Sequence, residues 1–278
     1  MKIPTHEQLI TGLLPAVLEA ARLELRYFRD NVAVERKADA SPVTIADQEA
    51  EVLIVEALKQ IAADVPIVAE EQFSAGIIPE VDGTLFLVDA LDGTRAFVKG
   101  TEDFTINVAM VVDRVPVFGL ILLPANGEFY VTTADDRVGY AQIDVQKNAT
   151  LDDISFIPVH TRRPDPEALV VSLSNSHPSA KLERELEGKP ISGRVEAGSS
   201  LKFCRVAEGR ADFYPRLGSI CEWDIAAGHA IVRSAGGDVT RLDGSPLLYG
   251  NRAKNFRTPP FVAWGREDLV GKLQFTAE

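Results

Sequence analysis

Four consecutive apolar residues, Leu85-Phe86-Leu87-Val88, run straight into Asp89, and Asp92-Gly93-Thr94 follows after two more residues. The run reads as a buried strand. A carboxylate at its end, with a second three residues on and a Gly-Thr turn behind it, contributes nothing to a core. Buried charges persist only when paired or when they coordinate a metal. Acids so placed suit divalent metal ions, and metals held by carboxylates usually serve phosphate chemistry.

The remaining patterns supply layers around that strand. Residues 5–28 read as an amphipathic helix with Leu9, Leu13, Val17 and Ala21 on one face, Thr5 and Gln8 as a capping box, and a kink expected at Pro15. A polar loop over 31–43 leads to a second helix over 44–61, with Thr44 and Asp47 at capping spacing. Strands are expected over 65–69, 84–88, 105–112, 117–123 and 128–132. The last three are joined by turns at 113–116 and 124–127, which predicts an antiparallel meander. The polar stretch 135–168 is the best boundary candidate. Beyond it come a strand over 168–173, a helix over 199–209, a strand over 211–214, a helix over 223–235 and short terminal strands. Helices layered on sheets in both halves imply an α/β or α+β fold. The chain is expected to form one catalytic unit of two lobes, 1–150 carrying the metal site and 165–278 carrying substrate contacts.

Charge and composition narrow the function. The chain has 278 residues, and its net charge of -12 repels polymeric nucleic acid and anionic membranes. It would also repel a small phosphate substrate unless bound Mg²⁺ intervened. No apolar run approaches the roughly 20 residues of a membrane span, and residues 1–7 contain no apolar signal core, so export is not expected. Cys204 and Cys221 match no metal or redox spacing and read as free thiols in a reducing cytoplasm.

Carboxylates recur at element ends: Asp47 in the first turn of the second helix, Glu70-Glu71 after a strand, Asp89 and Asp92, and Asp224 at a helix start. Singly, each has a plain explanation. Asp47 and Asp224 suit helix N-termini, Glu70-Glu71 a solvated turn, and Asp92-Gly93 a common turn. If the termini converge, two such charges about 4 Å apart repel by roughly 4 kcal/mol at an effective dielectric near 20. The cluster would then protonate or bind cations. Hard oxygen donors favour Mg²⁺ or Mn²⁺, and the four histidines are dispersed. Gly93 would let the backbone approach a ligand, the Gly93 and Thr94 amides could hold phosphate oxygens, and the Thr94 hydroxyl could orient a water. Taken alone, Lys202 reads as a solvated helix face and Arg216 as an ordinary surface residue.

These residues resemble the inositol monophosphatase superfamily of metal-dependent, lithium-sensitive phosphatases. Asp89 to Thr94 matches its Asp-Pro-x-Asp-Gly-Thr motif, with Ala90 in place of the proline. Trp223-Asp224-Ile225-Ala226-Ala227-Gly228 with Gly236-Gly237, and the pair Glu70-Glu71, match others. Within the superfamily the chain is similar to bacterial 3'(2'),5'-bisphosphate nucleotidases in 37–44, Ser174-Asn175-Ser176-His177, 198–209 and Tyr214-Pro215-Arg216, although Arg95-Ala96 replaces a common Lys-Glu pair. The resemblance implies alternating layers of helices and sheets. It also implies hydrolysis of 3'-phosphoadenosine 5'-phosphate to AMP and phosphate, linked to sulfate assimilation. Glu70, Asp89, Asp92, Asp224 and the Leu91 carbonyl would ligate two or three Mg²⁺, with Mn²⁺ as a substitute. Asp47 and Thr94 would activate water. Glu70, Leu91, Gly93, Thr94 and Asp224 would bound the scissile phosphate, and His177, Ser199, Lys202 and Arg216 the rest of the nucleotide. A cytoplasmic monomer or homodimer without a transmembrane segment is expected, with a peripheral place at the inner membrane as the alternative. Inositol monophosphatase or histidinol-phosphate phosphatase activity is the runner-up function, and an inactive nucleotide sensor the third.

Overall fold

The computed structural model describes residues 2–30, 35–36, 42–43, 45–134, 137–175 and 179–277. Loop residues 37–41, Thr44 and His177, all singled out above, lie outside them. The chain folds as five layers. The outermost is a pair of helices, α1 (His6–Asp30) and α2 (Ile45–Ile61). Thr5 and Gln8 cap α1 reciprocally, at 3.0 and 3.2 Å, and α1 runs without a break through an exposed Pro15. Strands β1 (Glu35–Arg36) and β2 (Pro42–Val43) pair antiparallel between the two helices.

The second layer is a seven-stranded sheet. In chain and spatial order it contains β3 (Ile67–Ala69), β4 (Leu85–Asp92), β5 (Thr105–Val112), β6 (Val115–Leu122), β7 (Glu128–Thr133), β8 (Arg137–Gln142) and β9 (Ile157–Val159). β3 and β4 are parallel and the rest form an antiparallel meander. Two short helices, α3 (Glu70–Ser74) and α4 (Thr94–Val98), follow β3 and β4. Alternation along β4 divides its side chains between two cores. Phe86 and Val88 face Leu13, Val17 and Ile54 of α1 and α2, whereas Leu85 and Leu87 face the next helix layer.

That third layer is α6 (Leu201–Ala207) and α7 (Ala226–Ser234), which contribute Phe203, Val206 and Ile231 to the same core. The fourth is a five-stranded sheet made of β10 (Leu169–Ser174), β11 (Ile191–Ala197), β12 (Phe213–Arg216), β13 (Asp238–Arg241) and β14 (Phe261–Trp264), in the order β11-β10-β12-β14-β13. The outer face of this sheet is covered by α5 (Ala180–Leu186) and the C-terminal segment through Leu182, Leu186, Leu273 and Phe275. The first sheet reaches α7 by backbone contact, since a Cβ on Gly119 of β6 would collide with the Ala227 carbonyl.

Several expectations shift. β4 does not stop at Val88 but continues to Asp92, with a register irregularity between Asp89 and Asp92. The turn expected at 113–116 is only Asp113-Arg114, both at positive φ (50° and 68°), so Val115 and Pro116 belong to β6. Part of the polar stretch 135–168 is sheet: β8 and β9 extend the first sheet, whose exposed last strands tolerate polar residues. The expected helix over 223–235 begins only at Ala226, so Asp224 lies in the turn before α7. Neither Cys204 nor Cys221 forms a disulfide among the described residues.

Candidate active site

The ends of β3 and β4 and the turns preceding α6 and α7 meet at one cavity of about 410 Å³, and Asp47 at the start of α2 reaches its wall through Thr94. Glu70, Asp89, Leu91, Asp92, Gly93, Thr94, Ser199, Lys202, Arg216 and Asp224 all line it.

Glu70 is the first residue of α3, and two contacts fix that helix. Glu51, buried one turn beyond Asp47 on α2, accepts the Glu71 and Gln72 backbone N–H groups at 2.6 and 2.9 Å. Phe73 packs its ring on Trp223 at 5.1 Å, which ties α3 to the turn carrying Asp224. Asp224 accepts the Cys221 N–H at 3.0 Å, and Asp89 accepts the Leu91 N–H at 3.0 Å. Carboxylate oxygens of Glu70, Asp89 and Asp224 thereby lie within 4.8 Å of one another.

Losing the Glu51 carboxylate would leave two N–H groups without their acceptor, at roughly 1–3 kcal/mol each. Glu51→Leu should therefore lower the melting temperature and shrink the response to added Mg²⁺ expected of a cluster that includes Glu70, because Glu70 loses its support. A thermal melt with and without Mg²⁺ checks both. An undiminished Mg²⁺ response would refute the link to Glu70.

Gly93 caps α4 with φ 97°, where a Cβ would also clash with the Asp103 carbonyl. This turn presents Thr94, whose hydroxyl donates to Asp47 Oδ1 at 3.0 Å, with the Leu91 carbonyl at 3.3 Å as a second acceptor. Asp92 accepts a hydrogen bond from the Ser199 hydroxyl. Lys202 donates to the Ser199 carbonyl at 2.5 Å and sits 5.4 Å from the Tyr214 ring centroid. Arg216 keeps its buried Nε without a hydrogen-bond partner among the described residues.

The electrostatics follow from burial. Asp89 is pushed well above its ordinary pKa by desolvation, then by Glu70, Asp92 and Asp224. Asp224 is raised for the same reason, with Asp92 and Glu70 as its neighbours. Burial also raises Asp92, opposed by the Ser199 hydroxyl and Lys202. Burial lowers Lys202 to about 8, against the pull of Asp92. Three converging carboxylates with only oxygen donors, partly stripped of water, fit a hard divalent cation better than they fit one another. The donor set therefore suits Mg²⁺ or Mn²⁺.

Sequence reasoning missed Glu51, Phe73, Thr105 and Asn107. For Glu51 a signal existed, namely its position four residues after Asp47 on one face of α2. His177 lies outside the described residues.

The sequence pattern of the inositol monophosphatase family matches residues 5–260. The 3'(2'),5'-bisphosphate nucleotidase CysQ of Escherichia coli K12 is 36% identical over 228 residues, covering 82% of this chain and 87% of the relative. The crystal structure of CysQ from Bacteroides thetaiotaomicron superposes with a TM-score of 0.73 at 30% identity, over 93% of this chain and 97% of that one. Thermotoga maritima IMPase gives 0.71 at 25% identity over 93% of each. With the family pattern matched over 5–260 and a relative 36% identical over most of both chains, the chain belongs to the inositol monophosphatase family.

Proposed function

We propose that the protein is a Mg²⁺-dependent phosphatase that removes the 3'-phosphate of 3'-phosphoadenosine 5'-phosphate, yielding AMP and phosphate in connection with sulfate assimilation. The observation that carries the reading is the placement of buried Lys202 and half-buried Arg216 in the same cavity as the acids. An ester with one phosphate needs the acid side alone. A bisphosphate also needs fixed positive charge a few ångströms away. The similar nucleotidases are named for 3'(2'),5'-bisphosphate nucleotides, the class to which this substrate belongs.

Glu70, Asp89, Asp92, Asp224 and the Leu91 carbonyl would hold the metal ions. When bound, Mg²⁺ supplies charge neutralisation for the phosphoryl group and acidifies water. The remaining work falls to the chain. Thr94 Oγ1, hydrogen-bonded to Asp47 Oδ1, orients the attacking water and passes a proton to Asp47. Gly93 and Thr94 border the scissile phosphate. Lys202 and the unpartnered Nε of Arg216 bind the second phosphate or the ribose. Ser199, expected to touch substrate, spends its hydroxyl on Asp92 and its carbonyl on Lys202, so its part is to connect them.

Phosphate release from 3'-phosphoadenosine 5'-phosphate in Mg²⁺, run beside inositol 1-phosphate and histidinol phosphate and with Li⁺ as inhibitor, tests the assignment. Release from the bisphosphate should be the fastest. Rapid hydrolysis of either monoester with none of the bisphosphate would replace the substrate, and tight nucleotide binding without turnover would indicate a sensor. Among the described residues, no helix is long and apolar enough to cross a membrane.

A further inference from the structure

Three buried polar residues beside the acids have no part in the chemistry above. Thr105 and Asn107 on β5 stand opposite Asp92 and Asp89 of β4 in the strand register. Ser200 precedes α6, and all three are no more than 1% exposed. The Thr105 hydroxyl lies 2.5 Å from Ser199 Oγ, 2.9 Å from Ser200 Oγ and 3.2 Å from Asn107 Oδ1. Ser200 donates to Asn107 Oδ1 at 2.7 Å. Ser199 in turn donates to Asp92. Each hydroxyl has one proton. With Ser200 donating to the Asn107 amide oxygen and Ser199 to the Asp92 carboxylate, the short Thr105–Ser199 contact takes the Thr105 proton, so Thr105 and then Ser199 donate in turn toward the negative charge.

Ser199 itself is strained. Its φ is 48°, the left-handed region that a side chain other than glycine seldom occupies. Such a conformation persists only where the surroundings impose it. Here it turns the Ser199 hydroxyl toward Asp92 and its carbonyl toward Lys202, so one residue touches both halves of the cavity.

We propose that Thr105 and Asn107 are positioning residues: they hold Ser199 in its left-handed conformation and so fix the metal-facing Asp92 and the substrate-facing Lys202 relative to each other. This rests on the reading of Asp92 as a metal ligand. It makes metal and nucleotide binding interdependent through Ser199, and such coupling is reciprocal. Hydrogen-bond partners behind a metal ligand typically change metal affinity by about 10–100-fold when removed.

The test is a Mg²⁺ titration followed by thermal shift, with no substrate present, on Thr105→Val, Thr105→Ser and Ser199→Gly. Thr105→Val keeps the shape and removes the hydroxyl, and should raise the half-saturating Mg²⁺ concentration about tenfold. Thr105→Ser restores the hydroxyl and should recover most of that loss. Ser199→Gly relieves the backbone, so without metal it should melt no lower than the parent, yet it should bind Mg²⁺ about as weakly as Thr105→Val. Wild-type Mg²⁺ affinity in Thr105→Val would overturn the proposal. So would a lowered metal-free melting temperature with unchanged half-saturation, or failure of Thr105→Ser to recover. The readout needs no turnover, so it stands whichever phosphate ester is cleaved. Failure to hydrolyse the bisphosphate would count against the substrate assignment alone.

Discussion

Asp89→Asn should lower phosphate release by about a thousandfold and, in the absence of metal, make the protein more stable. The first effect is the loss of the charged ligand that the proposed metal site has at its centre. Metal stabilisation of the reacting phosphoryl group is worth several kcal/mol, and each 1.4 kcal/mol is tenfold in rate. The second effect has the opposite sign. Burial, then Glu70, Asp92 and Asp224, raise the Asp89 pKa, so the folded protein holds that proton more tightly than the unfolded chain does. Stability is then lost as pH rises from the unfolded value near 3.9 toward the raised folded value, and it stays lost above it. Asparagine is never ionised, and its Oδ1 can still accept the Leu91 N–H. In chelator at neutral pH the variant should melt a few degrees higher than the parent, at roughly 2–4 °C per kcal/mol. With Mg²⁺ the order should reverse. Full activity in Asp89→Asn would remove the metal assignment, and a lower metal-free melting temperature would remove the electrostatic account.

The next largest effect is expected at Lys202. Lys202→Met keeps the packing of the stem against Tyr214 but deletes the charge. The KM for the bisphosphate should rise roughly ten- to a hundredfold, matching the 1.5–3 kcal/mol of a hydrogen bond to a charged group. A substrate with one phosphate should be little affected. Burial, opposed by Asp92, sets the Lys202 pKa at about 8. Lysine loses its positive charge above its pKa, so kcat/KM for the bisphosphate should fall as pH rises through about 8. That limb should be missing from the Lys202→Met profile. Equal losses on mono- and bisphosphate would leave the second-phosphate role without support.

Local pattern made part of this legible. An apolar run ending in acids identifies β4 and its cluster because four adjacent residues declare burial and the next contradicts it. The layered class followed from helix and strand periodicities. Convergence did not. Glu70 and Asp224 are recognisable as acids at element ends, but their adjacency depends on Phe73 meeting Trp223, a contact between distant segments. Glu51 looked like an ordinary glutamate on a helix, and only the docking of α3 gives its carboxylate two N–H partners. Thr105 and Asn107 alternate with Ile106 and Val108, which in an isolated strand marks a wet face. Here α6 and its preceding turn cover that face, and the polar residues are buried together. β11 has an alternating, half-exposed pattern too weak to stand out, and α5 is short.

The contact of Gly119 with the Ala227 carbonyl bears on how the site comes into being during folding. The meander is built from neighbours in sequence and can close early, whereas α7 must return from far along the chain, a non-local step that is intrinsically slow. A nascent chain that ends before the turn leading into α7 therefore owns Glu70, Asp89 and Asp92 but has no Asp224 to join them. On the proposed reading the acids are all assembled only once glycine and helix backbone have met, so Mg²⁺ would act by mass action on the finished fold and deepen it after assembly rather than guide the assembly.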